Sequence, residues 1–149
     1  MKIEEEIKQT HFSSALQKAV INLIFTSNWL INKQQAYFKP FGITGQQFNV
    51  LRILKGQHPK SISAKEIKSR MLDKNSDTSR LLDRLLVKNL LEKKSCPNDK
   101  RASDIFITEE GLILLEKIKK KQKNIDQVLT LSEEEAYQLS ELLDKGRRK

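Results

Sequence analysis

The 149-residue sequence is 38% hydrophobic and 32% charged with a formal net charge of +9, which suggests one globular unit with a polyanion as the leading partner. No stretch approaches the ~18 consecutive apolar residues of a membrane span, and the one cysteine, Cys96, excludes an internal disulfide framework and suits a reducing compartment. The start, Met1-Lys2-Ile3-Glu4-Glu5-Glu6, lacks the charged-then-apolar layout of a secretion signal, so a cytoplasmic location is expected.

Phe12 to Phe38 reads as one long helix. Apolar residues recur at Phe12, Ala15/Leu16, Ala19/Val20, Leu23/Ile24, Trp29/Leu30/Ile31 and Tyr37/Phe38, close to the helical period. Neither Gly nor Pro interrupts it, and Pro40 and Gly42 end it. So much apolar surface needs something to pack on. Thr44-Gly45-Gln46-Gln47 is a capping box for a helix through Leu54, with Phe48, Leu51 and Leu54 turned inward. Gln57-His58-Pro59 is a turn. Ser63-Ala64-Lys65-Glu66 is a further capping box, opening a short helix that Met71-Leu72-Asp73 ends. The next helix carries Leu81, Leu82, Leu85 and Leu86 on one face. Its other face and its start carry Lys74, Asn75, Ser76, Asp77, Thr78, Ser79, Arg80 and Arg84. Leu90-Leu91 and Ile105-Phe106-Ile107 are short strand signals around the basic turn Pro97-Asn98-Asp99-Lys100-Arg101. Leu112 to Val128 is a second long helical stretch, with Leu112, Leu114/Leu115, Ile118, Ile125 and Val128. Ser132-Glu133-Glu134-Glu135 is a capping box for a last helix bearing Ala136, Leu139, Leu142 and Leu143. There are no repeats and no Gly/Ser linker, so residues 1–149 read as a single unit.

The order helix, turn, helix, strand, basic turn, strand predicts a mainly α fold with a small β wing, a winged helix-turn-helix. Lys60 to Arg101 holds twelve Lys and Arg against six Asp and Glu, so most of the net charge falls on this stretch. Short polar and cationic side chains are what a major groove accepts. Double-stranded DNA is therefore the expected partner. A basic protein that coats DNA without reading sequence is the alternative, and an interaction module that reuses the fold is a third reading.

The stretch resembles the signature of the MarR family of winged helix-turn-helix transcription factors. The resemblance rests on Ser79-Arg80-Leu81-Leu82-Asp83-Arg84-Leu85, Lys88-Asn89-Leu90-Leu91-Glu92, Pro97-x-Asp99-x-Arg101 and Ile107-Thr108-x-x-Gly111. Two positions depart from the pattern. Asn89 replaces the usual Gly, which a left-handed helix cap tolerates, and Lys68 replaces a small Ala. The resemblance implies a homodimer whose residues 1–38 and 112–149 interleave with those of a second copy. The reader is then 43–111, and such a regulator is more often a repressor. It also implies a small aromatic effector held between dimer helices and reader, where Trp29, Tyr37, Phe38, Phe41 and Phe48 are the candidate lining. An aromatic stripe at helical spacing is also what a core looks like.

At the start of the recognition helix, Ser76 or Asn75 is the expected cap. Thr78, Ser79 and Arg80 are expected DNA contacts, with Lys74 beside them. Asp77 either accepts from a cytosine amino group or favours the helix dipole. Arg84 either touches phosphate or pairs with the partner subunit's Asp83 or with Glu92. In the wing, the resemblance implies that Arg101 enters the minor groove, steadied by Asp99, and a narrow groove does attract arginine; Lys100 adds a phosphate contact. His11 and His58 are the only histidines, with no spacing that suggests a metal site. Cys96 is read as an inert thiol. No constellation supports catalysis, and no cofactor is expected.

Overall fold

The computed structural model describes residues 1–96, 99–121 and 127–148, with backbone alone at 96 and 99–102. A short α1 (Ile3–Glu6), which the sequence reading does not include, precedes the long α2 (Ala15–Phe38). Ser14 caps α2 by accepting from Gln17 N–H, so the helix starts three residues after the expected Phe12. Lys18 Nζ donates to Glu4 Oε1, tying α1 back to α2. That hydrogen bond, first among the causes, holds the Glu4 carboxyl below its ordinary value. A 3-10 turn at Lys39–Phe41, with Pro40 in it and Gly42 at φ 70°, ends α2 as expected.

α3 (Gly45–Gln57) opens on the full capping box: Thr44 Oγ1 accepts from Gln47 N–H and Gln47 Oε1 accepts from Thr44 N–H, both at 3.1 Å. Val50, Leu51 and Leu54 are fully buried on it, while Phe48 is half-buried. α4 (Ala64–Arg70) carries only half of its expected box. Ser63 Oγ accepts from Glu66 N–H at 3.1 Å, but the Glu66 carboxylate turns forward to Arg70 at 2.9 Å, because an opposite charge one turn on competes for it.

α5 (Thr78–Val87) buries Thr78, Leu81, Leu82 and Leu85. Leu86, expected on that face, is 41% exposed. At about 100° per residue it falls at the edge of a stripe centred on Leu81 and Leu85. The helix ends at Asn89, whose φ of 58° is the left-handed cap expected there, with Leu90 N–H donating to Leu85 O at 3.0 Å.

β1 (Leu91–Cys96) and β2 (Asp99–Ile107) pair antiparallel, Leu91 opposite Ile107 and Ser95 opposite Ser103, with a register shift before Cys96. Both strands run well beyond the short signals in the sequence. Ile62 adds a single antiparallel bridge to Ile105, which anchors the wing root to the start of α4.

α6 (Glu109–Lys121) begins earlier than expected, since Thr108 Oγ1 accepts from Gly111 N–H at 3.1 Å and donates to Asn89 O at 2.7 Å. The hydroxyl thereby joins the end of α5 to the start of α6. Ile125, assigned to this helix from sequence, lies outside the described residues, and Val128 is in a turn. α7 (Glu133–Gly146) carries the expected Ser132/Glu135 capping box.

One core unites α3, α4, α5, the wing root and α6, through Val50, Leu51, Ile67, Met71, Leu82, Leu85, Leu91, Ile105 and Ile118 among others. The terminal helices contribute little to it. Phe38 is the sole buried residue of α2, and none of α7 is buried.

Candidate nucleic-acid interface

The free face of α5 is built from the inside out. Once Leu81, Leu82 and Leu85 are committed to the core, the remaining turns present Ser79, Arg80, Asp83 and Arg84 to solvent. Asp77 is the N-cap, its Oδ1 accepting from Arg80 N–H at 3.1 Å. The Asp77 carboxylate thus serves the helix start. The expectation that Ser76 or Asn75 caps the helix is corrected. Asn75 N–H donates to Asp73 Oδ1 at 2.9 Å, and Ser76 is 5% exposed with its Oγ 3.5 Å from Thr78 Oγ1. Thr78 is likewise 5% exposed. The chain turns through 71–77 into α5, and Met71, Ser76 and Thr78 are the residues buried there. The Ser76 and Thr78 side chains are both buried at the helix start. Ser79, Arg80, Arg84 and Lys74 stay on the surface.

Ion pairs surround the helix. Asp83 Oδ1 lies 3.0 Å from Lys93 Nζ, which ties α5 to β1, and Glu92 is 3.8 Å from Lys94. Arg84 is exposed, and Glu92, one of its two expected carboxylate partners, is turned to Lys94 instead. Lys74 Nζ donates to Ser69 O, across the turn that precedes α5.

The wing backbone is a hairpin, and Asp99 pairs with Cys96. The side chains of Cys96, Asp99, Lys100 and Arg101 lie outside the described residues, as do Pro97 and Asn98 altogether. On the described part of the wing, Lys94 Nζ sits 4.8 Å from the Phe106 ring centroid, a cation held over an aromatic face.

The aromatic stripe is core. Phe38 is 1% exposed and its ring lies 4.5 Å from that of Phe48; Tyr37 meets Phe38 edge-on at 4.8 Å and Phe41 at 6.1 Å. Tyr37 also places its hydroxyl 3.4 Å from Ile118 O, linking α2 to α6. Trp29 stands apart, half-buried, with Lys33 Nζ 5.8 Å from its ring. Tyr37, Phe38, Phe41 and Phe48 thus pack on one another against the core, and Trp29 does not join them. A cleft of about 950 Å³ lies elsewhere, between the end of α2 and the free face of α5, with Gln35, Lys39 and Ile43 on one wall and Arg80, Arg84 and Lys88 on the other. Lys88 Nζ donates to Gly42 O at its edge. Sequence inspection missed this cleft because its walls come from segments some 40 residues apart.

Among the described residues no group of His, Cys, Asp and Glu is placed to hold a metal ion, and no helix is long and apolar enough to cross a membrane.

A short helix, a clamped turn, a second helix with a free cationic face and a two-stranded hairpin define a winged helix-turn-helix protein. Residues 41–102 match the MarR family model. The multiple antibiotic resistance protein MarR of Salmonella typhimurium is 32% identical over 112 residues, 73% of this chain and 76% of that protein. The HTH-type transcriptional regulator MhqR of Bacillus subtilis is 32% identical over 108 residues, 70% of this chain and 72% of its own length. Among solved structures, a cysteine mutant of MarR from E. coli complexed with operator DNA superposes with a TM-score of 0.72 at 28% identity, covering 91% of this chain and 100% of that one. AbsC from Streptomyces coelicolor shares the fold, with a TM-score of 0.76 at 18% identity over 90% of this chain and 93% of that one. The chain belongs to the MarR family, a family of transcriptional regulators and not of enzymes.

Proposed function

We propose that this protein is a cytoplasmic, sequence-specific repressor that binds a pseudo-palindromic DNA operator as a homodimer and is released by a small aromatic ligand. The observation that carries the reading is the free face of α5. Ser79, Arg80 and Arg84 project from a helix whose opposite side is locked into the core, so their positions are fixed before DNA arrives. The operator complex of the E. coli relative supports it. In this reading 43–111 is the reader, with Asp99, Lys100 and Arg101 on its wing, and 1–38 and 112–149 are the dimer seam.

Exposed apolar residues support the seam. Leu16 is 80% exposed, Val20 56%, Leu23 51% and Ile24 57% on α2, with Tyr137 at 69% and Leu142 at 65% on α7. Contiguous apolar surface of this kind marks an interface. A two-fold dimer would set its recognition helices about one duplex turn apart, roughly 34–36 Å, and read two half-sites.

The effector belongs to the cleft between α2 and α5 in this account. Its walls join the seam helix to the recognition helix, so a ligand there would favour one setting of α5 over another, which differential affinity requires. Phenolic compounds screened by thermal shift and by operator release test this; binders that leave DNA affinity unchanged would remove the effector from the account. The DNA reading is tested by affinity for a selected operator against random duplex at matched salt. A ratio of ~10³ or more is expected of a specific reader, whereas a ratio near unity would identify a DNA-coating protein.

A further inference from the structure

Leu72 is 87% exposed, yet its backbone is anchored from α3. Its N–H donates to Asn49 Oδ1 of α3 at 2.9 Å. On the following residue, Asp73 Oδ2 accepts from Gln46 Nε2 of α3 at 3.1 Å, Oδ1 accepts from Asn75 N–H at 2.9 Å, and the carbonyl accepts from Ser76 N–H at 3.2 Å. The preceding residue, Met71, is buried. The leucine is thus held out into solvent on a frame anchored to α3, in the turn that leads into the recognition helix.

A single exposed leucine needs no explanation by itself. The setting of this one does. Lys68, Arg70 and Lys74 flank it in sequence, all exposed, with Arg70 paired to Glu66 and the Asp73 carboxylate engaged by Gln46 and Asn75, and the free face of α5 follows directly. Cations around an isolated apolar tip suit a polyanion with an apolar feature inside it. Among the base edges of a duplex that feature is the C5 methyl of thymine, displayed in the major groove. A protein partner or a bilayer would call for a wider apolar patch, and the next exposed large apolar residues along the chain are Leu86 and Val87, at the far end of α5.

We infer that Leu72 is a base-reading residue that contacts a thymine methyl group in each half-site, extending the reading surface from α5 back into the turn. The inference rests on the DNA-reading role proposed above. Gln46 and Asn49 are then positioning residues, which set where the leucine points without touching DNA themselves.

The test uses an operator selected by the full-length protein from a pool of random duplexes. Each thymine is replaced in turn by deoxyuracil, which removes only the C5 methyl. Wild-type protein is expected to lose about fourfold in affinity at one thymine per half-site, the scale of one buried methyl group. Leu72→Ala is expected to bind the unmodified operator as weakly as that, to be indifferent to the same replacement, and to keep its Tm because the side chain is exposed. The inference is overturned if wild type and Leu72→Ala respond alike at every thymine, or if Leu72→Ala weakens operator and random duplex equally. If the wild-type protein selects no operator at all, the DNA-reading proposal fails and this one with it.

Discussion

Gly111 shows how a short motif becomes a structural requirement. A Cβ there would stand 2.4 Å from Leu90 O and 2.7 Å from Ile107 Cγ1, so backbone and side chain alike would have to move. The glycine of the Thr108-x-x-Gly111 pattern is thus a packing necessity where α5, β2 and α6 meet. Gly111→Ala is expected to cost about 1–3 kcal/mol by overpacking, visible in a thermal melt as a loss of a few degrees per kcal/mol; an unchanged Tm would show that the junction has room for a Cβ. Arg80 is the residue to which the proposed function assigns base reading. Its side chain is exposed while its own N–H is engaged by Asp77, so the backbone is fixed and the guanidinium is presented. Arg80→Ala should lose ~1–3 kcal/mol at one base pair if the contact is bidentate to guanine, measured with operators varied one position at a time. A loss spread evenly over all sequences would make Arg80 a phosphate contact instead.

Elements differed in how much of them the sequence disclosed. The capping boxes at Thr44 and Ser132 were legible because both reciprocal hydrogen bonds are local, and the left-handed cap at Asn89 was legible for the same reason. The start of α5 was not. Asn75, Ser76 and Asp77 are all competent caps, and only the fold of the 71–77 turn, set by Asn49 and Gln46 from α3, leaves the Asp77 carboxylate over Arg80 N–H. The Ile62 bridge to Ile105 was invisible because a single residue has no period. The aromatic stripe was seen, but which neighbours would enclose it depends on α3 and α6 packing across it. The proposed dimer seam belongs to this scale. Charge placed at Leu16 or Leu139, as Leu16→Glu or Leu139→Glu, is expected to convert a dimer to monomer or to unfold the chain, read by light scattering. Intact folded dimers of both variants would count against the seam.

For the molecule as a whole, charge and shape converge. Most of the net charge of +9 lies between Lys60 and Arg101, the stretch that the core fixes into a helix, a turn, a helix and a hairpin. In the proposed function a field of that sign adds a salt-dependent attraction to any DNA, and the free face of α5 adds discrimination among sequences. The two contributions separate in one experiment. Affinities for the selected operator and for a random duplex are measured across a salt series for the wild type and for Arg80→Ala and Arg101→Ala, all confirmed as folded. The account predicts a steep fall of both affinities with salt, an operator preference that persists along the series, and a reduced preference in Arg80→Ala. Arg101→Ala should weaken binding most where the wing meets an A·T-rich, narrow minor groove. Wild-type and variant proteins that show the same affinity for both duplexes at every salt concentration would contradict the claim that this chain reads DNA with its recognition helix and wing.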